Sequence, residues 1–198
     1  MIELNVSRET SDRLDVFVEL VQKWTKSINL ISKSSLPEIW ERHIVDSAQL
    51  HELAPDSGHW VDIGSGGGFP AIVIAILSLD SGTRTMTLIE SDQRKAVFLR
   101  TAIRELELNA KVIADRIENI ESLNADILSA RALADLTALL EHGERQMAPH
   151  GIALFPKGAN WKNEVEDARN QWSFGVEHIK SKTNPKAAVL KVKDITRV

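Results

Sequence analysis

Val61-Asp62-Ile63-Gly64-Ser65-Gly66-Gly67-Gly68-Phe69-Pro70 is the stretch on which the fold turns. An apolar strand end carries an acid. Four glycines follow within five positions, and then the apolar run Ala71 to Leu77, which has a helix pattern. Strand, glycine turn and helix together bring an α/β sheet's backbone against a nucleotide-like ligand. Glycine has no side chain to hold the ligand off, and it reaches positive φ freely. The dinucleotide fingerprint needs glycine at its sixth position, which here is Phe69, and no Gly-Lys-Ser/Thr follows as a phosphate loop would require. The turn therefore carries no strong signal for pyrophosphate or triphosphate.

Outward from this turn the chain alternates. Strands are expected at 59–63, 85–90, 111–114, 125–129 and 151–156, and helices at 69–79, 92–107, 133–147 and 160–172. Two last runs, about 175–181 and 187–195, read as a hairpin around Asn184-Pro185. Alternation of this kind implies a doubly wound α/β fold, a parallel sheet with an antiparallel partner at its edge. Ligands of such sheets lie at the carboxyl ends of the strands. Before the sheet, residues 8–24 read as a helix capped by Ser7, with Leu14, Phe17, Val18, Val21 and Trp24 at helical spacing. A second helix is expected over about 37–53, and Pro55 to Gly58 marks a boundary. The expected organisation is a helical extension, 1–56, and a sheet domain, 57–198.

The pattern Asp62-x-Gly64-x-Gly66-x-Gly68 resembles motif I of S-adenosylmethionine-dependent methyltransferases, which implies a class I, Rossmann-like sheet. That ligand has no phosphate. Its ammonium suits a carboxylate at Asp62, and its ribose suits an acid closing the next strand, a position held by Glu90 after Thr85-Met86-Thr87-Leu88-Ile89.

Composition narrows the class further. Of 198 residues, 43% are hydrophobic, enough for a core, but only 5% are aromatic, so that core is mostly aliphatic. Cysteine is absent, which excludes disulfides and thiolate metal sites or nucleophiles, and no metal is expected. The longest apolar run, around Phe69 to Leu79, is too short to span a bilayer. With charged residues throughout the first twenty, no signal peptide is read, and a cytoplasmic protein with no membrane partner is expected. Net charge is −4, unevenly spread. Residues 151–198 hold nine Lys/Arg against five acids, and the first 150 hold 15 against 23. A basic closing section is compatible with a polyanion partner, and equally with solvated faces.

Four clusters fall where this geometry would use them. Asp115-Arg116-Ile117-Glu118 follows the third strand, where an acid and a backbone N–H can meet an adenine. Ser129-Ala130-Arg131-Ala132 follows the fourth, where an arginine can bind a carboxylate, a phosphate or a guanine edge. Lys157-Gly158 closes the fifth. In the second helix, Arg42, Asp46 and Ser47 can form a polar patch over the pocket, or Asp46 can simply pair with Arg42. His43 alone is weak support for acid–base chemistry.

With Trp24…Ile28-Asn29-Leu30, Arg42-His43-x-x-Asp46-Ser47, the glycine turn through Pro70, Arg94-Lys95-x-x-Phe98-Leu99, Arg116-x-Glu118, Ser129-x-Arg131-Ala132 and Lys157-Gly158, the chain resembles the glucose-inhibited division protein B family over about residues 24–158. These are bacterial small-subunit ribosomal RNA guanine-N7 methyltransferases. Thr25, Ala71 and Arg94 depart from the usual residues, and none is assigned to chemistry. The resemblance implies S-adenosyl-L-methionine on Gly64, Phe69, Ile117, Glu118 and Arg131, and with Ser65 and Gly66 of the turn and the acids Asp62 and Glu90 these make up the expected cofactor site. It implies positioning by Arg131 and Ser129 without an assigned acid or base, RNA contacts at Arg42, His43, Arg94, Lys95 and Lys157, and as partner 16S rRNA or the small ribosomal subunit, at a guanine of the decoding-region loop.

The chemistry is consistent with that acceptor. Cytosine C5 needs a cysteine nucleophile, and an exocyclic amine usually needs an Asn/Asp-Pro-Pro-aromatic clamp where this chain has Ser-Ala-Arg-Ala. Guanine N7 has an in-plane lone pair and no proton to remove, so positioning alone can serve. A methyltransferase with another acceptor and a non-catalytic cofactor-binding module remain open from the residues alone.

Overall fold

The computed structural model describes residues 4–80 and 83–198. Helix α1 (Arg8–Thr25) starts where expected. The Ser7 hydroxyl accepts from the Thr10 amide at 3.1 Å, satisfying one of the amides a helix start leaves free. Its stripe of Leu14, Phe17, Leu20 and Val21 is buried.

The second expected helix, 37–53, is not one helix. A 3-10 turn (Lys33–Glu38) contains Pro37, a π turn (Trp40–Val45) follows, and only α2 (Asp46–His51) is α-helical. Proline lacks the N–H that an α ladder needs. Ile39 and Ile44, five apart, are both buried, and a π turn brings residues of that spacing onto one side.

The sheet has seven strands, β1 (Ser57–Ile63), β2 (Thr83–Ile89), β3 (Ala110–Ile113), β4 (Ala125–Ala130), β5 (Met147–Lys157), β6 (Trp172–Lys180) and β7 (Ala188–Arg197), in the order β3-β2-β1-β4-β5-β7-β6. All are parallel except β7, which runs against both β5 and β6. The closing hairpin is therefore present, but its reversed strand lies inside the sheet rather than at the edge. Val189, Leu190 and Val192 of β7 are buried, whereas β6 carries the exposed Glu177, His178 and Lys180 and takes the edge.

Helices α3 (Ala71–Leu77) and α4 (Gln93–Glu105) cover one face, and α5 (Leu136–Gln146) and α6 (Trp161–Ala168) the other. Helix α3 begins two residues later than expected, because Gly66 to Pro70 form the turn. β5 starts four residues earlier, as Met147 pairs with Ala125.

Two apolar cores result, one on each face. Residues of the first 56 share the α3–α4 core: the Phe17 ring lies 5.2 Å from Phe69 and 6.5 Å from Phe98, and Trp24 lies 5.6 Å from Phe98. Arg84 of β2 fastens the seam. Its buried guanidinium donates to the carbonyls of Pro55 at 2.7 Å, Ala54 at 3.1 Å and His51 at 3.3 Å. Among the described residues, no helix is long and apolar enough to cross a membrane. The order reverses between β1 and β4, so the carboxyl ends of these two strands form the switch point where a doubly wound sheet binds ligands.

Candidate active site

At the switch point the turn after β1 is built from backbone. Gly64 has φ +67°, where any side chain is strained, and a Cβ there would lie 2.8 Å from Leu133 Cδ1, which would have to move. The Gly66 amide donates to Glu90 Oε2 at 2.8 Å, and the Asp92 amide donates to Glu90 Oε1 at 2.8 Å. Glu90 is thus buried and fixed across the turn. Ser65 is buried and its hydroxyl donates to the Asp62 carbonyl at 3.1 Å. Ile117 is buried and Glu118 exposed, in a short 3-10 turn (Ile117–Asn119) after β3.

Asp62 lies under this turn and is buried. The Ser129 hydroxyl donates to Oδ1 at 2.5 Å and accepts from Trp60 Nε1 at 2.8 Å, so three side chains from two strands form a chain. Oδ2 has no partner and no exposure. Burial pushes the carboxyl up to about 6, opposed by the hydrogen bond from Ser129 and by the charge of Arg131. A buried acceptor left open and costly to ionise fits a ligand ammonium. Such a group supplies N–H donors and the charge that stabilises the carboxylate.

Beyond β4 the site is built from side chains. Arg131 Nη2 donates to His43 Nδ1 at 3.0 Å, Nη1 lies 3.5 Å from Asp46 Oδ2, and the guanidinium lies over the Phe69 ring at 5.2 Å. Arginine has only donors, so His43 Nδ1 is the acceptor and its proton is on Nε2. That Nε2 is buried without a partner. Burial, then the charges of Arg131 and Arg42, lower the His43 pKa to about 4, so the imidazole is neutral at neutral pH.

Asp46 is the hub. Its Oδ1 accepts from Gln49 Nε2 at 2.9 Å and from the Thr183 hydroxyl at 2.8 Å, while Oδ2 faces Arg131. The pairing of Asp46 with Arg42, open from the sequence, does not occur. Arg42 lies 3.5 Å from Glu38. Ser47 is buried with its hydroxyl unpartnered, outside the lining of the cleft.

A cleft of about 830 Å³ opens beside Arg131. Glu38, Glu41, Arg42 and Asp46 line one wall, Lys157, Gly158 and Glu164 the floor, and Ser181, Thr183 and Asn184 of the β6–β7 connection the other wall. Lys157 is not free in it. Its Nζ lies 2.7 Å from Glu164 and donates to the Ala134 carbonyl at 2.7 Å, with only 8% of the side chain exposed. Arg94 and Lys95 begin α4 and do not line the cleft. Arg94 pairs with Asp92 at 3.2 Å in the open.

The structure thus gathers Asp62, Ser129, the glycine turn and Glu90 in one group, and Arg131, His43 and Phe69 in a second that touches it. Gln49 and Thr183 reach the second group through Asp46, and Glu164 holds Lys157 beside it; none of the three is singled out by a sequence motif. Thr183 joins through a contact 137 residues away that no spacing records, whereas Gln49 stands three residues after Asp46, a helical spacing that could have pointed to it.

The family model described as rRNA small subunit methyltransferase G matches residues 10–190. The chain belongs to that family. It is 53% identical to the ribosomal RNA small subunit methyltransferase G of Ruegeria pomeroyi, over 98% of this chain and 96% of that one. To its counterpart in Ruegeria sp. it is 52% identical, over 100% and 97%. Among solved structures, the fold is similar to that of M. jannaschii TYW2 in complex with AdoMet. There the TM-score is 0.61 at 16% identity, with 87% of this chain and 80% of that one covered. The resemblance read from the motifs is borne out, as are the methyltransferase fold and S-adenosyl-L-methionine as the cofactor.

Proposed function

We propose that this chain methylates N7 of a guanine in the decoding-region loop of 16S rRNA, giving 7-methylguanosine. The observation that carries this reading is an arginine fork in the cleft whose neighbouring titratable side chains, His43, Asp46, Asp62 and Lys157, are each buried or already engaged. His43 is neutral, and its Nδ1 is occupied by Arg131. Asp62 is buried under the glycine turn. Lys157 is committed to Glu164. An acceptor that must lose a proton is poorly served by such a set, whereas guanine N7 needs none removed.

When bound, S-adenosyl-L-methionine supplies an electrophilic methyl on its sulfonium. Asp62 Oδ2 would receive the ammonium, the turn from Gly64 through Phe69 would face the methionyl and ribose parts, and Glu90 would exchange an amide partner for a ribose hydroxyl. Ile117 and Glu118 would border the adenine. Arg131 donates to guanine O6 and leaves the N7 lone pair free, its plane held by Asp46, His43 and Phe69. Arg42, His43, Arg94, Lys95 and Lys157 were expected on the RNA side. Arg42 and Arg94 are the exposed pair suited to phosphate contact, and Lys157 supports the cleft floor.

In this reading the helical extension, residues 1–56, supplies one cleft wall, and the sheet domain, 57–198, supplies the cofactor site. The substrate is the small ribosomal subunit or its RNA, in the cytoplasm. The test is radiolabelled methyl transfer to small subunits from a strain lacking this enzyme, with the modified base identified by mass spectrometry. Label at guanine N7, lost in Arg131→Lys, is expected. Label on an exocyclic amine, or only on a small molecule or protein, overturns the proposal.

A further inference from the structure

The cofactor side and the cleft leave unused a feature beside the cleft, where the Trp161 amide donates to the carbonyl of the cleft-lining Gly158 at 3.2 Å. The rings of Trp161, opening α6, and His178, on the edge strand β6, stack with centroids 5.0 Å apart and planes 25° from parallel. Lys162 Nζ lies 5.6 Å from the Trp161 ring. Trp161 is half-buried against the α5–α6 core, whereas His178 is exposed and presents its outer face to solvent.

The chain around His178 is basic. Residues 178–193 hold five lysines and no acid. Lys180 and Lys186 are exposed and, with Lys162, make no ion pair among the described residues. Glu177, beside His178 in sequence, alternates to the other face of the sheet and pairs in register with Lys191. Glu166 and Asp167 lie further along α6. The β6–β7 connection, which follows Lys180 and carries Lys186, also lines the cleft through Ser181, Thr183 and Asn184, so the stack and the cleft share one edge. An exposed imidazole backed by an indole and flanked by unpaired ammonium groups is suited to an unstacked base and its phosphates.

Resting on the function proposed above, we infer that the His178–Trp161 stack, with Lys162, Lys180 and Lys186, is a platform that holds an unpaired RNA base neighbouring the one that enters the cleft. The platform orients the loop and takes no part in methyl transfer.

The experiment measures KM and kcat on unmodified small subunits and on 16S rRNA. It also measures direct affinity for a decoding-region RNA oligonucleotide, using the full chain and its variants. His178→Ala should raise KM and weaken oligonucleotide binding about tenfold, with kcat, melting temperature and affinity for S-adenosyl-L-methionine unchanged. His178→Phe, which keeps a stacking face, should restore binding to within about twofold of the parent. The Lys180→Glu/Lys186→Glu pair should lower the slope of log affinity against log salt by about 1.4. Equal oligonucleotide affinity in His178→Ala overturns the platform even where methyl transfer is normal. If the parent binds the oligonucleotide through His178 but methylates no RNA, the platform stands and the function proposal falls. A raised KM on assembled subunits with unchanged affinity for naked RNA assigns the face to a ribosomal protein and overturns the inference.

Discussion

The turn after β1 and the cleft beyond β4 adjoin at the carboxyl edge of one sheet but are made differently. At the turn, the groups offered to a ligand are main-chain amides and two acids, Asp62 and Glu90, each in or next to a strand end. Strand registry holds these groups in place: Asp62 is level with Leu88 on one side and Ser129 on the other. In the cleft, the key charge is Arg131, and its orientation depends on His43, 88 residues away, and on Asp46, which is itself tied to Thr183, 137 residues away. The first arrangement tolerates almost no change in backbone. The second tolerates change in position but not in the side-chain network. In the function proposed above, cofactor binding is a property of the sheet, and acceptor placement a property of how residues 1–56 and the closing hairpin meet across it.

The largest expected effect breaks the backbone-built side. Gly64→Val places a branched side chain at φ +67°, with its Cβ 2.8 Å from Leu133, and should abolish S-adenosyl-L-methionine binding in calorimetric titration. Gly158, also at a strand end but with nothing within 4 Å of a built Cβ, is the contrast. Gly158→Ala should bind the cofactor as the parent does. Unchanged affinity in Gly64→Val would remove the turn from the binding site.

The next effect breaks the side-chain network. Arg131→Lys keeps the charge and loses the planar fork that spans His43 and Asp46. Activity should fall about a hundredfold, the scale of a small misplacement of reacting groups, while cofactor affinity changes little and the protein still melts cooperatively near the parent temperature. Asp46→Asn should reproduce much of the loss, and the double variant should lose less than the two added together. Strict additivity would show that Asp46 does not act through Arg131.

The same contrast explains what the sequence allowed to be read. Ser7 as a cap, the buried stripe of Leu14, Phe17 and Val21, the strand runs and the glycine turn are local patterns, set by neighbours three or four residues apart. Asp62 and Glu90 were legible because they stand beside such patterns. The π turn was not, since Ile39 and Ile44 at spacing five mimic an α-helix with one odd position. The insertion of β7 between β5 and β6 was not either, because alternation predicts a strand but not which neighbour accepts it. The commitment of Lys157 to Glu164, and of Arg84 to the carbonyls at 51–55, depends on packing that no spacing records.

A smaller effect sharpens the comparison through pH. The Asp62 carboxyl, raised by burial to about 6, is harder to ionise folded than unfolded. Its contribution to stability is therefore fully present below the ordinary carboxylate range and lost as pH rises through 6, a change of about 3 kcal/mol at most. His43, lowered by burial to about 4, acts in the opposite sense: its contribution is present above 6.5 and lost as pH falls through 4. Asp62→Asn isolates the first. Its stability relative to the parent should rise between pH 4 and 7, while its cofactor affinity should be weak and lack the increase with pH through 6 that is expected of the parent. Equal stability profiles for variant and parent would mean that Asp62 is not the strained acceptor its open Oδ2 suggests.

The smallest effect is expected at Arg94. It stands exposed in the first turn of α4, paired with Asp92, which caps the same helix by accepting from the Arg94 and Lys95 amides. The cap uses backbone amides and survives loss of the side chain, so Arg94→Ala should leave the melting temperature unchanged. It lies off the cleft lining, so kcat should not move. What can change is one phosphate contact, and a single contact on unpaired RNA shifts the slope of log affinity against log salt by about 0.7. RNA titrations of parent and variant at several salt concentrations would resolve that shift. A parallel pair of lines would place the RNA wholly on the Arg131 side of the sheet. A drop in kcat would mean instead that the acceptor reaches across the turn after β1, and that the two sides work as one site.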